Sequence, residues 1–412
     1  MKILLVNKFH YLKGGSEKYY FELANLLKEK GHQIAFFSMQ DEKNIHTGDK
    51  EYFVKPIDLN SGSKLEAINV IYSKENKKKM DEALDDFKPD IVHINNFQRQ
   101  LSASIIYAIS KHNVPIVFTA HDLEAICPNK TMLDSNKEIC EKCLHGSYIN
   151  CIRKKCIKDS LLKSTLGALE TKFYKQNNIY TKKIDFIITP SEFYRNKFIE
   201  YGVEKDKIEA IHNWIDIDTE QAEVGDRKYA LYFGRVSKEK GIFNLVKAFE
   251  NINEGKLYIA GEGPDLEKLK NLVNEKNMQE KVKFLGFLQH DELNKYIREC
   301  SFAILPSVWY DNCPYSVLET LSLGKPVIGS NIAGIPELIK DGKNGLLFEY
   351  NNINDLQDKI KYLFSNEQIR TQMGTNARLD IQKNYSREKY YEKLIKIYDY
   401  VTGEKKDEKN IK

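Results

Sequence analysis

The chain reads as an α/β protein built on two parallel sheets. Apolar runs alternate with amphipathic stretches along most of its length, and this rhythm occurs twice, on either side of a polar connection. In the first half the strand candidates are Ile3 to Val6, Ile34 to Phe37, Ile91 to Ile94, Ile116 to Thr119 and Phe186 to Thr189. The second half repeats the grammar in YALYF, LYIAG, VKFLG, FAILP and PVIGS. Short buried-type strands separated by helical patterns imply parallel sheets covered on both faces by helices. The polar stretch Asp216 to Arg227 marks the join.

Length and composition agree with this division. The 412 residues exceed the usual reach of one core. With 42% apolar and 30% charged residues the chain is globular. A net charge of +4 is small for this size and argues against a dedicated nucleic-acid binder, and no nucleic-acid-binding motif is present. The opening MKILLVNKF is too short in its apolar run for a signal peptide and reads as a first strand. No run approaches a membrane-spanning length, so a cytoplasmic location is expected.

The segment Ser307 to Glu337, SVWYDNCPYSVLETLSLGKPVIGSNIAGIPE, carries the strongest functional signal. Asp311 stands eight positions before Glu319, with a Pro-Tyr-Ser turn between them. A carboxylate on the first turns of a helix can accept hydrogen bonds from a ribose diol, and free N–H groups at the helix start can hold sugar hydroxyls or phosphate oxygens. The bland alternative is a strand, loop and helix with surface acids. Upstream, YFGRVSKEKGI sets Arg235 and Lys240 five apart, just before a helix expected from Ile242. A planar guanidinium fork, a mobile ammonium and a helix N-terminus together make a diphosphate clamp, whereas either cation alone would be ordinary surface.

These two segments resemble glycosyltransferase family 4, whose acidic signature usually has two glutamates separated by seven residues. Asp311 departs from it by one methylene. The resemblance covers nearly the whole chain and implies the GT-B fold, two Rossmann-like domains facing a central cleft. The expected division is 1–217 for an acceptor-side domain, 218–383 for the nucleotide-sugar domain, and 384–412 for a terminal helix that crosses back, ending in a disordered tail from Gly403. It implies a retaining transfer from a nucleoside-diphosphate sugar to a saccharide or lipid-linked saccharide, in bacterial cell-surface polysaccharide synthesis. Arg235 and Lys240 would stabilise the leaving diphosphate, Glu319 would hold the ribose, and Asp311 with the N–H groups of Cys313, Pro314, Tyr315 and Ser316 would grip the sugar. A sugar-nucleotide epimerase or phosphorylase of the same fold, or a non-catalytic sugar-nucleotide binder, are the alternative readings.

Further matches lie elsewhere. Gly14 and Gly15 precede a helix after the first strand, where the family places a donor-contacting loop, although the G-x-G-x-x-G spacing is absent. His121, followed by Asp122, ends a strand where family members carry a histidine near the donor sugar. Gly261, Glu262 and Gly263 follow another strand, with Glu262 either facing the cleft or capping the helix after Pro264. By resemblance the loop of Gly286, Phe287 and Leu288 lines the base pocket. Asp216 and Asp218 form a D-x-D that sits in the linker and is read as coincidence.

The cysteines form a separate pattern. Cys140, Cys143, Cys151 and Cys156 make C-x₂-C, seven residues, then C-x₄-C, within an insertion spanning about 126–158. The pairs have structural-zinc spacing. Reduced structural cysteines or a disulfide are the alternatives, and Cys127, Cys300 and Cys313 are left unassigned. No catalytic metal is expected, because fixed cations serve the diphosphate. Arg153, Lys154, Lys155, Lys158, Lys163, Lys172, Lys175, Lys182 and Lys183 give the region a basic cast. This suits either a solvated surface or peripheral contact with the inner face of an anionic membrane. Lys77, Lys78 and Lys79 read as a solvated helix surface.

Overall fold

The computed structural model describes residues 1–58, 64–216 and 226–410. Two compact units emerge, Met1–His212 with Tyr391–Lys412, and Asn213–Tyr390. In the first, seven parallel strands run β1 (Lys2–Asn7), β2 (Gln33–Met39), β3 (Lys50–Val54), β4 (Ile91–Asn96), β5 (Ile116–Thr119), β6 (Phe186–Thr189) and β7 (Ile208–Ala210). Their spatial order is β3-β2-β1-β4-β5-β6-β7. The second unit holds β8 (Tyr229–Phe233), β9 (Lys256–Ala260), β10 (Val282–Gly286), β11 (Phe302–Leu305), β12 (Val327–Ser330) and β13 (Gly345–Phe348), ordered β10-β9-β8-β11-β12-β13.

All ten strands expected from apolar runs are present. The three additional ones, β3, β7 and β13, lie at sheet edges. Edge strands are short and half-covered, so KEYFV and IEA lack the continuous apolar run that marks an interior strand. Central strands are buried on both faces, as in β1 and β8. Between the sheet of the second unit and its helices lies a core that includes Leu245, Val246, Phe249, Ile259, Ile304 and Leu356. Each such side chain contributes about 1.5–3 kcal/mol on burial.

Helix ends follow local chemistry. Ser191 accepts the Tyr194 N–H at 3.2 Å to start the helix Glu192–Tyr201, which stops at Gly202 in the left-handed region. The expected helix after Lys240 begins at Ile242. At the C-terminus the helix Arg387–Asn410 runs on through the stretch expected to be disordered. Lys and Glu dominate that stretch and favour helix, so the backbone continues instead of fraying at Gly403. Residues 411–412 lie outside the described residues. From Tyr391 this helix belongs to the first unit, where Tyr398 Oη meets buried His93 Nδ1 at 2.5 Å and Tyr391 Oη meets His32 Nε2 at 2.9 Å.

Between β5 and β6 the alternation breaks, as the sequence suggested. Residues 120–148 hold little regular structure beyond a bridge of Leu133 with Ile139, and a five-residue helix, Ile149–Arg153, follows. Lys77, Lys78 and Lys79 lie on the helix Lys74–Phe87 and pair with Asp81 and Glu82 on the same helix. Among the described residues no helix is long and apolar enough to cross a membrane.

Candidate functional site

In the second unit the strand order reverses between β8 and β11, and open α/β sheets bind ligands outside the carboxyl ends of strands at such a point. The loop after β8 carries Arg235 and Lys240, and the loop after β11 carries Asp311. They meet: Lys240 Nζ donates to Asp311 Oδ1 at 2.7 Å and to Oδ2 at 3.0 Å. Ser307 Oγ also donates to Asp311 Oδ2. The ammonium sits 5.1 Å from the centre of the Trp309 ring. Asp311 is buried, with only 8% of its side chain exposed, while Lys240 keeps 21%. Both carboxylate oxygens are therefore engaged by protein, and the shorter Asp side chain reaches Lys240 with both.

Close backbone packing holds these loops together. Gly241 has φ +70, and a Cβ there would lie 1.7 Å from the Pro306 carbonyl oxygen. Only glycine lets the turn after Lys240 pass the end of β11. Gly263 is held as tightly, with Val236 O 2.2 Å from where its Cβ would be, and Val236 N–H donates to Glu262 O at 2.9 Å. Gly261 N–H donates to Gly286 O at 2.6 Å. Loops after β8, β9, β10 and β11 thus form one backbone-packed surface.

On that surface Arg235 is exposed, with its carbonyl fixed by Tyr232 Oη at 2.7 Å. Glu319 is half-buried on the second turn of the helix Tyr315–Ser322. That helix starts at Pro314, which has no N–H. The expectation that every residue from Cys313 to Ser316 offers an N–H therefore fails at Pro314, leaving Tyr315 and Ser316 at the helix start. Cys313 is buried, its carbonyl accepts from Asn213 Nδ2 at 3.1 Å, and burial pushes its thiol up to about 12. Phe287 is 68% exposed, and Leu288 is partly buried against the cluster that includes Tyr229, Phe233 and Ile297. Glu262 is exposed and does not cap the next helix, whose N-cap is Asp265. Asp216 stands 4.0 Å from Arg387, and Asp218 lies outside the described residues. A cavity of about 390 Å³ beside Lys325, Arg370 and Arg378 holds none of these residues.

The first unit has its own reversal between β1 and β4. Gly14 is the N-cap of the helix that begins at Gly15. Its backbone is extended and a Cβ would meet nothing closer than Glu17 Oε2 at 3.7 Å, so neither sterics nor φ demands glycine there. His121, after β5, meets Asn95 Oδ1 through Nε2 at 2.9 Å and packs edge-on against Tyr19, with ring centres 4.6 Å apart. Burial lowers its pKa to about 3, so the ring is a neutral hydrogen-bonding group at ordinary pH.

Behind it lies a set that sequence spacing gave no signal for. His93 Nε2 meets Thr119 Oγ1 at 2.7 Å, and Thr119 meets Tyr19 Oη at 3.2 Å. Next to Asp122, Glu124 is buried against Arg99 Nε at 2.9 Å and Lys8 Nζ at 3.3 Å, which hold its pKa down to about 2 despite burial. Arg99 N–H also donates to Glu170 at 2.8 Å, whereas burial raises Glu170 to about 7. Partners this far apart in sequence leave no local pattern.

The cysteines of the insertion come together. Cys143, Cys151 and Cys156 share a small cluster with Tyr148, Ile157 and Ala168, and Cys140 adjoins Cys143. All seven cysteines of the chain are free.

Comparison with known proteins matches this division. Residues 13–219 fit the family described as Glycosyltransferase Family 4, and residues 215–380 fit Glycosyl transferases group 1. An uncharacterized glycosyltransferase of Methanocaldococcus jannaschii is 32% identical over 219 residues, covering 53% of this chain and 60% of the relative. The poly(ribitol-phosphate) alpha-N-acetylglucosaminyltransferase of Staphylococcus aureus is 27% identical, covering 56% and 48%. The chain thus spans about half the length of curated relatives it matches. Among solved structures, sucrose-phosphate synthase of Thermosynechococcus elongatus superposes with a TM-score of 0.74 at 17% identity, covering 98% and 99% of the two chains. HepE of Anabaena in complex with UDP gives 0.70 at 16%, covering 97% and 100%. Both sheets, both family matches and these structural likenesses agree, and the chain belongs to glycosyltransferase family 4, with the GT-B fold of two Rossmann-like domains.

Proposed function

We propose that the protein is a retaining glycosyltransferase that moves a sugar from a nucleoside-diphosphate donor to a saccharide or lipid-linked saccharide, in the synthesis of a cell-surface polymer. The observation that carries this reading is the meeting of Lys240 and Asp311 where the strand order reverses, beside the start of the helix bearing Glu319. Arg235 and Lys240 then stand where negative charge develops on the leaving diphosphate, and stabilising that charge lowers the barrier directly. Glu319 accepts the ribose hydroxyls, and the Tyr315 and Ser316 N–H groups face the donor. Asp311, saturated by Lys240 and Ser307, acts as the residue that positions the ammonium. His121, neutral, offers a hydrogen bond to the donor sugar. In this reading no divalent metal is needed at the diphosphate.

The UDP complex of HepE supports a nucleotide donor, and the poly(ribitol-phosphate) specificity named for the Staphylococcus relative supports a surface-polymer acceptor. Leu161, Leu162 and Leu169 are 56%, 70% and 50% exposed on the helix Leu161–Gln176, which on the same side carries exposed Lys172. An apolar and basic face of this kind supports peripheral contact with the inner leaflet and a lipid-linked acceptor.

The test is release of nucleoside diphosphate from a panel of nucleotide sugars, with and without acceptors, in chelator. Acceptor-dependent release with retained anomeric configuration is expected. Conversion of donor alone would identify an epimerase, and binding without turnover across the panel a non-catalytic sugar-nucleotide protein.

A further inference from the structure

The end of the second sheet opposite the proposed donor site carries the cavity of about 390 Å³. Ser301 directly precedes β11, Pro326 directly precedes β12 and Asp226 stands just before β8, so its floor lies at the amino ends of these strands. One face of the helix Glu367–Asn384 forms its wall, where Thr371, Thr375, Arg378 and Gln382 recur at helical spacing. Wall and floor are pinned where two glycines meet: a Cβ on Gly374 would lie 2.1 Å from Gly324 O, and Gly324 has φ +73.

The charges around this space are unevenly spent. Lys325 is 4% exposed, and Arg378 is half-buried. Arg370 is committed to the fold, since Nη1 donates to Phe364 O at 3.0 Å and to Leu363 O, and Nη2 donates to Asp226. Asp226 is committed too, its other oxygen accepting from Ser301 Oγ at 2.5 Å and from the Lys228 N–H at 3.0 Å. With that pair cancelled, Lys325 and Arg378 set two positive charges against the one exposed carboxylate of Glu367. Burial takes the Lys325 ammonium out of water, a cost that an anion in the cavity would offset.

The neutral groups of the lining are acceptors. Thr371 Oγ1 donates its hydrogen to Glu367 O at 3.1 Å, Thr375 Oγ1 donates to Thr371 O at 3.1 Å, and Ser301 has given its own to Asp226. Each oxygen keeps lone pairs but no uncommitted hydrogen. This composition matches a ligand that carries one anionic group and several O–H donors. Between Thr371 and Arg378 the helix rises about 10 Å, room for a sugar ring and a phosphate end to end.

We propose that this cavity binds a phosphorylated monosaccharide, with its phosphate on Lys325 and Arg378 and its hydroxyls on Thr371, Thr375 and Ser301. Bare phosphate engages only the cations and a neutral sugar only the acceptors, so each binds more weakly than the combined molecule. The site lies at the far end of the helix that bears Glu319. There the Lys325 N–H donates to Thr320 O at 3.2 Å and the Gly324 N–H to Leu321 O at 3.1 Å, away from the carboxyl-end loops of Arg235, Lys240 and Asp311.

The test titrates the full chain by calorimetry with glucose-6-phosphate, fructose-6-phosphate, N-acetylglucosamine-1-phosphate, inorganic phosphate and glucose. At least one sugar phosphate should bind at least about tenfold more tightly than inorganic phosphate or glucose. Hydrogen exchange should then show protection within 323–327 and 367–382. Arg378→Gln and Thr375→Glu, the second setting a carboxylate into the cavity from an exposed helix position, should each weaken binding at least about tenfold. Arg235→Ala should leave that binding unchanged. Failure of all three sugar phosphates to bind, protection confined to the loops after β8 and β11, loss of binding in Arg235→Ala, or unchanged affinity in both Arg378→Gln and Thr375→Glu would overturn the site. Inorganic phosphate binding as tightly as the sugar phosphates would overturn the role of the hydroxyl acceptors.

Discussion

Replacing either member of the Lys240–Asp311 pair tests the centre of the proposed site. At an effective dielectric of about 20, two unit charges 4 Å apart attract by about 4 kcal/mol, and taking both out of water returns much of that. With the ammonium 2.7 and 3.0 Å from the two oxygens, the net is that of a hydrogen bond between charged groups, about 1.5–3 kcal/mol. The two single variants should be unequal. Asp311→Ala frees an ammonium that is already 21% exposed and can hydrate, whereas Lys240→Met leaves a carboxylate, 8% exposed, with Ser307 as its remaining side-chain donor. We therefore expect Asp311→Ala to cost about 1.5 kcal/mol and Lys240→Met about 3 kcal/mol. The double variant should be less damaged than the sum by about 1–2 kcal/mol. Urea unfolding of the four proteins gives this coupling directly. Diphosphate release then separates position from charge: Asp311→Ala retains the cation and loses its anchor, so kcat/KM should fall at least about tenfold, or about 1.4 kcal/mol. Strictly additive stabilities together with unchanged kcat/KM in Asp311→Ala would refute the reasoning.

Two other outcomes follow from single residues. Gly241→Ala places a methyl 1.7 Å from the Pro306 carbonyl at φ +70, so the loop after β8 must shift. Thermal unfolding should show a loss of at least about 2 kcal/mol, and donor affinity should weaken with it. The second concerns pH. His93 and His121 have folded pKa values lowered to about 3, against about 6.5 when unfolded, so the unfolded chain takes up protons that the folded one refuses. Their contribution is whole above about pH 6.5 and is lost as pH falls toward 3, at up to about 1.4 kcal/mol per unit for each ring. Stability measured from pH 7 to 4 should fall, and His121→Gln should flatten that slope. An unaltered slope would show that the ring titrates normally in the folded protein.

The apolar runs were sufficient to locate the strands that end up inside a sheet, because a strand covered on both faces must be apolar throughout. Of the edge strands β10 was legible, but β3, with Lys50 and Glu51, and the three-residue β7 have no such run and escaped. Helix entry at Ile242 was also legible, since the glycine and the amphipathic pattern are local. The extent of the terminal helix was misjudged, as a charged stretch that can stay helical resembles one that stays unfolded.

At the proposed site, the sequence by itself marked out the segments. Arg235 with Lys240, and Asp311 with Glu319, are each local motifs at the end of a strand. The tertiary structure alone decided which of these side chains meet and which are buried. Lys240 and Asp311, 71 positions apart, meet because β8 and β11 are neighbours in the sheet, and that contact turns Asp311 inward. His121 is neutral because the fold buries it, packed edge-on against Tyr19 with its Nε2 at Asn95 Oδ1. Spacing along a chain records what is near within one strand, turn or helix. Charge state, desolvation and contact depend on distance through space, which the packing of the sheets sets.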